Sequence, residues 1–188
     1  MRFNQLNIDK STWTSVKFGD VVSEVRNTVN NGEKDSIEHF VGLEHIEPEN
    51  IHITKWGLVK NGTTFTRKFN KGQVLFGRRR AYLKKAGLAT FEGLCSGDII
   101  VMEAKEKLLP ELLPFLINND HFFNFAVDTS AGSLSPRTKF KHLANHQFLL
   151  PTKDQQAKIA ELLWAMDDVI VEENNVLHYF QDFMDVSI

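Results

Sequence analysis

A single cysteine, Cys95, stands among the 188 residues of the chain, so an internal disulfide is excluded. Lone cysteines fit a reducing compartment, and we therefore expect the protein in the cytoplasm. No apolar run approaches the roughly 18 residues that a membrane helix needs. Residues 1–10 lack the apolar core of a signal peptide. We therefore expect no membrane partner.

Acidic side chains are absent from residues 51–90, which contain no Asp and no Glu. The segment has ten basic residues, which are Lys55, Lys60, Arg67, Lys68, Lys71, Arg78, Arg79, Arg80, Lys84 and Lys85. The whole chain has 22 basic and 24 acidic residues, so the remaining sequence carries 12 bases against all 24 acids. The net charge of −2 therefore hides a basic segment. This asymmetry predicts that one face attracts polyanions while another repels them.

Glycine and proline are absent after Pro151, and this predicts a long terminal helix, which we call the arm. Thr152 and Gln155 have the spacing of a capping box at its start. Apolar residues then recur with a seven-residue step in three adjacent rows, which form a wide apolar stripe. The residues predicted to pack against a partner helix are Ile159, Leu162, Leu163, Met166, Val169, Ile170, Val176, Leu177, Phe180, Phe183 and Met184.

The arm is too long to bury its stripe on one small domain, because about 30 helical residues span about 45 Å. Its outer half needs a second helix, with which we expect it to pair as a coiled coil. The second arm would lie in a homodimer or elsewhere in the same polypeptide. The alternative is an ordinary core helix at the end of a domain.

Strand patterns precede helix patterns in residues 1–150, which predicts an α+β fold with a mixed, mostly antiparallel sheet and flanking helices. The predicted strands cover residues 13–18, 39–43, 73–77, 86–89, 99–102 and 147–150, with a hairpin over 56–65 around Asn61-Gly62. The predicted helices cover residues 21–29, 110–118 and 121–127.

Two polar constellations in this part of the chain favour nucleic-acid binding, one in residues 77–85 and one in 132–142. Arginine can form bidentate hydrogen bonds with phosphate or with guanine. Small hydroxyl groups together with backbone N–H groups suit phosphate binding. The candidate DNA-binding residues are Arg67, Lys68, Arg78, Arg79, Arg80, Tyr82, Lys84, Lys85, Ser133, Ser135, Arg137, Lys139 and Lys141. The alternatives are a solvated basic turn and an ordinary polar loop that bind nothing.

Catalytic and metal-binding patterns are weak. Asp98, Glu103 and Lys105 superficially match metal-dependent nucleases, but on a strand the two acids point to opposite faces. His142 and His146 are four residues apart, but zinc would need further ligands. The sequence also lacks a glycine-rich phosphate loop and the Asn/Asp-Pro-Pro-Tyr/Phe motif of amino-methyltransferases. We therefore predict no catalytic residue, no metal site and no cofactor in this chain, with a nuclease as a minor alternative.

Several short motifs together resemble one known family. They are Trp13-x-x-Val16-x-Phe18-Gly19-Asp20-Val21, Lys71-Gly72-Gln73-Val74-Leu75-Phe76-Gly77-Arg78, Gly132-Ser133, Leu149-Leu150-Pro151, Gln155-Gln156-Ala157-Lys158-Ile159 and Leu162-Leu163-x-x-Met166-Asp167. Their order and spacing look like the specificity subunit of type I restriction–modification systems. The family usually begins its arm with Pro-Pro-x-x-Glu-Gln, where this chain has Pro151-Thr152-Lys153-Asp154-Gln155-Gln156.

The resemblance implies a non-catalytic protein that recognises double-stranded DNA. In this family each target recognition domain reads one half of a bipartite DNA site. The long helices pair antiparallel and fix the distance between the halves. They also dock the methyltransferase subunits, which use S-adenosylmethionine, while the restriction subunit needs ATP and Mg²⁺.

The family also implies an organisation. Residues 1–150 would form the target recognition domain, and residues 151–188 the arm for dimerisation and subunit docking. The family typically has two domains and two arms, whereas this chain has one of each. It would therefore be a half-subunit that dimerises, or a fragment. A non-catalytic assembly protein, whose arm recruits partners and whose basic face is incidental, is the alternative.

Overall fold

The computed structural model describes residues 9–34 and 36–186. The strands are β1 Thr14–Lys17, β2 Val22–Val25, β3 His39–Val41, β4 Gly57–Leu58, β5 Arg67–Phe69, β6 Val74–Gly77, β7 Ala86–Leu88, β8 Gly93–Cys95, β9 Ile99–Ala104 and β10 Gln147–Leu150. The helices are α1 Phe18–Val21, α2 Asn31–Lys34, α3 Leu113–Ile117, α4 Asp120–Asp128, α5 Phe140–Leu143 and α6 Lys153–Val186. Residues 187–188 of the predicted arm and residues 1–8 lie outside the described part.

Three sheets organise the strands. The central sheet has the order β2-β9-β6-β7 and is antiparallel throughout. The second sheet has the order β4-β3-β8-β5, in which β3 and β8 are parallel and the other pairs antiparallel. β1 and β10 form a separate antiparallel pair. The predicted α+β class with a mixed, mostly antiparallel sheet is therefore confirmed, although the strands divide among three sheets.

The central sheet is buried on both faces, which explains the continuous apolar runs of β6 and β9. Successive side chains of a strand point to opposite faces. Val74 and Phe76 accordingly join a core with the helices, while Leu75 joins a core with the second sheet. Cys95 lies in the second core, where burial raises the pKa of its thiol to about 12.

Two predicted elements are wrong. The predicted helix over 21–29 is instead the strand β2, which pairs with β9. Its β-branched valines suit a pleated surface, and the sheet satisfies their backbone groups. The predicted hairpin around Asn61-Gly62 does not form, because β4 pairs with β3 rather than with residues 63–65. A 3₁₀ turn, Val59–Asn61, follows β4, and Gly62 ends it with a φ of 92° that favours glycine.

The arm is α6, and its first turns are fixed to the rest of the chain. At its start the Gln155 side chain accepts a hydrogen bond from the Thr152 backbone N–H at 3.3 Å. The buried Gln156 donates to the carbonyls of Lys107 and Pro151 and accepts from the Leu109 N–H. The Trp164 indole N–H donates to the Glu111 carbonyl at 3.0 Å. No helix in the described part of the chain is long and apolar enough to cross a membrane.

Candidate nucleic-acid interface

The two predicted constellations lie side by side, although about 55 residues separate them in sequence. Where β6 ends, the Arg78 carbonyl accepts from the Thr138 N–H at 3.0 Å, and the Arg80 N–H donates to the Pro136 carbonyl at 2.8 Å. Between these two bonds, Arg79 pairs with Arg137 in an antiparallel bridge. Residues 78–80 and 133–141 therefore form one continuous surface, which we call the basic surface.

Asp98 holds two arginines of the basic surface. It accepts from Arg137 Nε at 2.7 Å and lies 3.5 Å from Arg79 Nη1. Arg79 Nε also donates to the Ser135 hydroxyl at 2.6 Å. The hydrogen bond from Arg137 lowers the pKa of Asp98 below its ordinary 3.8, and the charge of Arg79 adds to this. The Asp98 carboxylate therefore stays ionised and fixes both guanidinium groups.

The acids that suggested a nuclease serve different partners. Glu103 accepts from the Gln73 side chain at 2.9 Å, whereas Asp98 binds the two arginines. Lys105 donates to the Gly19 carbonyl. The sequence singled out Asp98 only as a superficial match to a nuclease acid, and the fold reveals that it lies beside Arg137.

Arg78 is half-buried in the basic surface, whereas Arg80, Ser133, Lys139 and Lys141 are exposed. Arg78 donates to the Thr138 carbonyl at 3.1 Å through Nε. Arg80 and Lys139 have no carboxylate partner among residues 9–34 and 36–186, and neither does Lys141. Ser133 is also exposed. Tyr82 is 55% exposed beside this surface.

Leu134 is a further exposed residue of the basic surface that sequence reasoning missed. It is 91% exposed between Ser133 and Ser135. No periodic pattern singles it out in the sequence. An apolar side chain at this place could contact a thymine methyl group or a base step.

Four predicted DNA-binding residues have other partners. Lys84 Nζ lies 2.7 Å from both Asp120 and Glu49, and these bonds raise its pKa above the ordinary 10.5. Lys68 pairs with Glu92 at 3.0 Å. Lys85 and Arg67 donate to backbone carbonyls, those of Leu43 and Ile99 respectively. These side chains stabilise the fold, and their charges are less available to a polyanion.

The histidine pair does not form a metal site. His146 packs against the rings of Phe122, Phe125 and Phe148. Burial, together with the charge of His121, lowers its pKa below the ordinary 6.5. His142 is exposed. Across the described residues, no group of three or more His, Cys, Asp or Glu side chains could hold a metal ion.

The apolar stripe of the arm divides into two parts. Ile159 and Leu163 are partly buried and pack against the core of the domain together with Trp164. The other residues predicted to contact a partner helix are between 42% and 71% exposed, namely Leu162, Met166, Val169, Ile170, Val176, Leu177, Phe180, Phe183 and Met184. All side chains described from Asp168 onward are exposed. The start of the arm is thus a core helix, and its outer part presents a solvent-facing apolar surface.

Comparison with known proteins identifies a relative in sequence and several in structure. The type I restriction enzyme EcoDI specificity subunit from Escherichia coli is 24% identical over an alignment that covers 89% of this chain and 38% of that protein. No protein-family model matches the chain.

Solved structures agree on the fold. A chain in a structure of the type I R-M system has a TM-score of 0.71 at 22% identity, covering 87% of this chain and 44% of that one. The HsdS subunit from Thermoanaerobacter tengcongensis has a TM-score of 0.70 at 21% identity, with the same coverage. The S subunit from M. genitalium has a TM-score of 0.57. The chain spans less than half the length of each relative. The resemblance carried by the sequence motifs is therefore confirmed: the chain is similar to type I restriction enzyme specificity subunits in sequence, and it has the fold of their solved structures.

Proposed function

We propose that the chain recognises a specific double-stranded DNA sequence, as the specificity component of a type I restriction–modification complex. The observation that carries this proposal is the basic surface, where two polar segments distant in sequence meet and present several cations without carboxylate partners. Phosphate contacts would supply most of the affinity, and a few side chains would read base edges. We assign no catalytic residue to the chain.

Residues of the basic surface would divide between two roles. Lys139 and Lys141 are flexible point charges that suit phosphates. Arg80 and Arg78 can form bidentate hydrogen bonds with guanine, and Leu134 can make an apolar contact with a thymine methyl group. Arg79 and Arg137, fixed by Asp98, would hold the register of the protein on the duplex.

The arm would join this recognition domain to a second one. Residues 1–150 would read one half of a bipartite site, and residues 151–188 would pair with a second arm in a homodimer or in a longer subunit. The exposed apolar rows around Val169, Val176 and Phe180 support such pairing. The paired arms would dock methyltransferase subunits that use S-adenosylmethionine. A restriction subunit with ATP and Mg²⁺ would complete the assembly in the cytoplasm.

Selection from a random duplex pool tests this function, with the chain alone and with its methyltransferase subunit added. We expect enrichment of a two-part, symmetric site with halves about one DNA turn apart if two copies act together. A single short half-site would identify one half of a longer subunit. An Arg78→Gln/Arg80→Gln variant should lose the enrichment, whereas Lys55→Gln should keep it, because Lys55 pairs with Glu47.

An assembly protein is the second candidate, and the exposed apolar face of the arm favours it. In that case the pool would show no enrichment, and the methyltransferase subunit would still bind the chain. Such a result would reject DNA recognition and retain subunit docking.

A further inference from the structure

The contact between arm and domain extends one turn beyond Trp164, to a side-chain hydrogen bond that joins residues distant in sequence. His52 Nε2 lies 2.6 Å from Asp167 Oδ2. The Asp167 side chain is only 15% exposed and that of His52 is 33% exposed, so the pair is partly shielded from water. Shielding from water strengthens a hydrogen bond compared with one at the exposed surface.

His52 stands on a rigid segment. The flanking Ile51 and Ile53 are 8% and 4% exposed in the core. The Ile51 carbonyl accepts from the Leu88 N–H at 2.7 Å, which ties the segment to β7 of the central sheet. The His52 N–H donates to the Asn50 side chain at 2.8 Å. The imidazole is therefore held on the same sheet whose strand β6 leads into the basic surface.

Asp167 lies where the arm begins to leave the domain, since all side chains described from Asp168 onward are exposed. Beyond it, a groove of about 690 Å³ separates residues 49–54 from Ile170, Val171 and Asn174 of the arm. The arm continues to Val186, a further 28 Å or so at the helical rise of 1.5 Å per residue. A tilt of about 10° at Asp167 would therefore move the far end by about 5 Å. That displacement exceeds the spacing of about 3.4 Å between successive base pairs.

We propose that the His52–Asp167 pair positions the arm relative to the basic surface and thereby sets the spacing between the two DNA half-sites that a paired-arm assembly accepts. This inference rests on the proposed function for its DNA consequence, but not for its effect on the arm. Gln156 and Trp164 fix the base of the helix, and the His52–Asp167 pair restrains its remaining freedom to tilt.

The first experiment measures the arm in the free chain. Nitroxide labels are placed on the exposed positions Lys71→Cys and Tyr179→Cys, and labelled chain is diluted in unlabelled chain so that distances within one chain are read by pulsed EPR. The native Cys95 stays unlabelled because it is buried. Asp167→Ala should broaden the distance distribution about twofold if helix tilt becomes free over about 10°.

Two variants control this measurement. Asp168→Ala removes the neighbouring acid, which is exposed and has no ion-pair partner among the described residues, and it should leave the distribution unchanged. Asp167→Asn keeps a neutral hydrogen bond to His52 and should behave nearly as the unmodified chain. An unchanged distribution in both Asp167→Ala and His52→Ala would overturn the proposal.

The second experiment measures spacing on a panel of duplexes whose half-sites are separated in steps of one base pair. The unmodified assembly should prefer its best spacing over the next by about tenfold in Kd, and Asp167→Ala should reduce this preference to about threefold or less. Affinity for a single half-site should stay unchanged, because neither residue belongs to the basic surface. An unaltered spacing preference, or a loss of single half-site affinity, would overturn the proposal. If no chain binds DNA while the EPR distribution still broadens, the proposed function fails and the positioning of the arm stands.

Discussion

At the residue scale, Arg80 and Lys84 flank the same 3₁₀ turn, Ala81–Leu83, but differ in their surroundings. Both have a left-handed backbone, with φ of 55° and 49°. The Arg80 side chain is exposed without a carboxylate partner in the described residues, whereas Lys84 lies between Glu49 and Asp120. A lysine that already pairs with two carboxylates has little net positive charge with which to bind a phosphate.

This difference gives the first prediction. Arg80→Gln should weaken DNA binding about tenfold or more, and Lys84→Gln by less than about threefold, since its charge is neutralised locally. Fluorescence anisotropy on one duplex at fixed salt measures both. Equal losses in the two variants would contradict the idea that carboxylate partners remove a cation from the binding surface.

Asp98 gives a prediction about pH. Its pKa is lower in the folded chain than the ordinary value of 3.8, mainly because of the hydrogen bond from Arg137. Its contribution to the free energy of unfolding is therefore fully present above pH 3.8 and is lost as the pH falls below that value. Asp98→Asn should reduce the free energy of unfolding at pH 7 by up to about 1 kcal/mol.

Urea unfolding between pH 3 and pH 7 checks this prediction. The difference between Asp98→Asn and the unmodified chain should shrink towards the acid end of the range, because the unfolded chain then binds a proton at Asp98 more readily than the folded chain does. Glu103→Gln is the control, since Glu103 binds the neutral Gln73 side chain. A constant difference across the range would show that packing rather than charge is responsible.

At the scale of elements, the long helix was the most predictable part of the chain. Three local signals predicted it: the period of its apolar residues, the cap at Thr152 and the absence of glycine. The helix α6 begins at Lys153 as expected. The predicted helix over 21–29 was wrong because the spacing of its valines is compatible with a helix as well as a strand. Pairing with β9 makes this segment a strand. The hairpin at Asn61-Gly62 was wrong because the turn signal does not reveal which strand β4 will pair with.

The exposed rows of the arm give a prediction about association. Phe180→Asp, at a position 65% exposed within an apolar row, should raise the Kd of self-association about tenfold or more if two arms pair. The reason is that a charge would be buried against the partner helix. Sedimentation equilibrium measures the effect. Tyr179→Asp is the matched control, because it adds the same charge at the adjacent position, which lies outside the three apolar rows.

At the scale of the whole molecule, sequence reasoning located the basic segment but overestimated its free charge. Acids that flank residues 51–90 in sequence fold back onto them, so that Glu47 pairs with Lys55 and Glu92 with Lys68. These contacts depend on strand order, which no local pattern reveals. The contact between residues 78–80 and 133–141 depends on the fold in the same way, although both segments were candidates for DNA binding from the sequence.

The charge that remains on the basic surface determines how salt should act on binding. The basic surface has six cations, which are Arg78, Arg79, Arg80, Arg137, Lys139 and Lys141. Asp98 neutralises one of these charges, which leaves a net charge of five. If each net charge neutralises one phosphate, log K should fall against log[salt] with a slope of about −4.5 on a single half-site. Lys139→Gln should make this slope shallower by about 0.9. Lys55→Gln should not change it, because Lys55 is already paired with Glu47. Titrations at several salt concentrations measure the slope. A slope near zero would contradict a phosphate-binding surface and favour the assembly protein, whereas a slope much steeper than about −4.5 would mean that DNA also recruits cations outside residues 78–80 and 133–141.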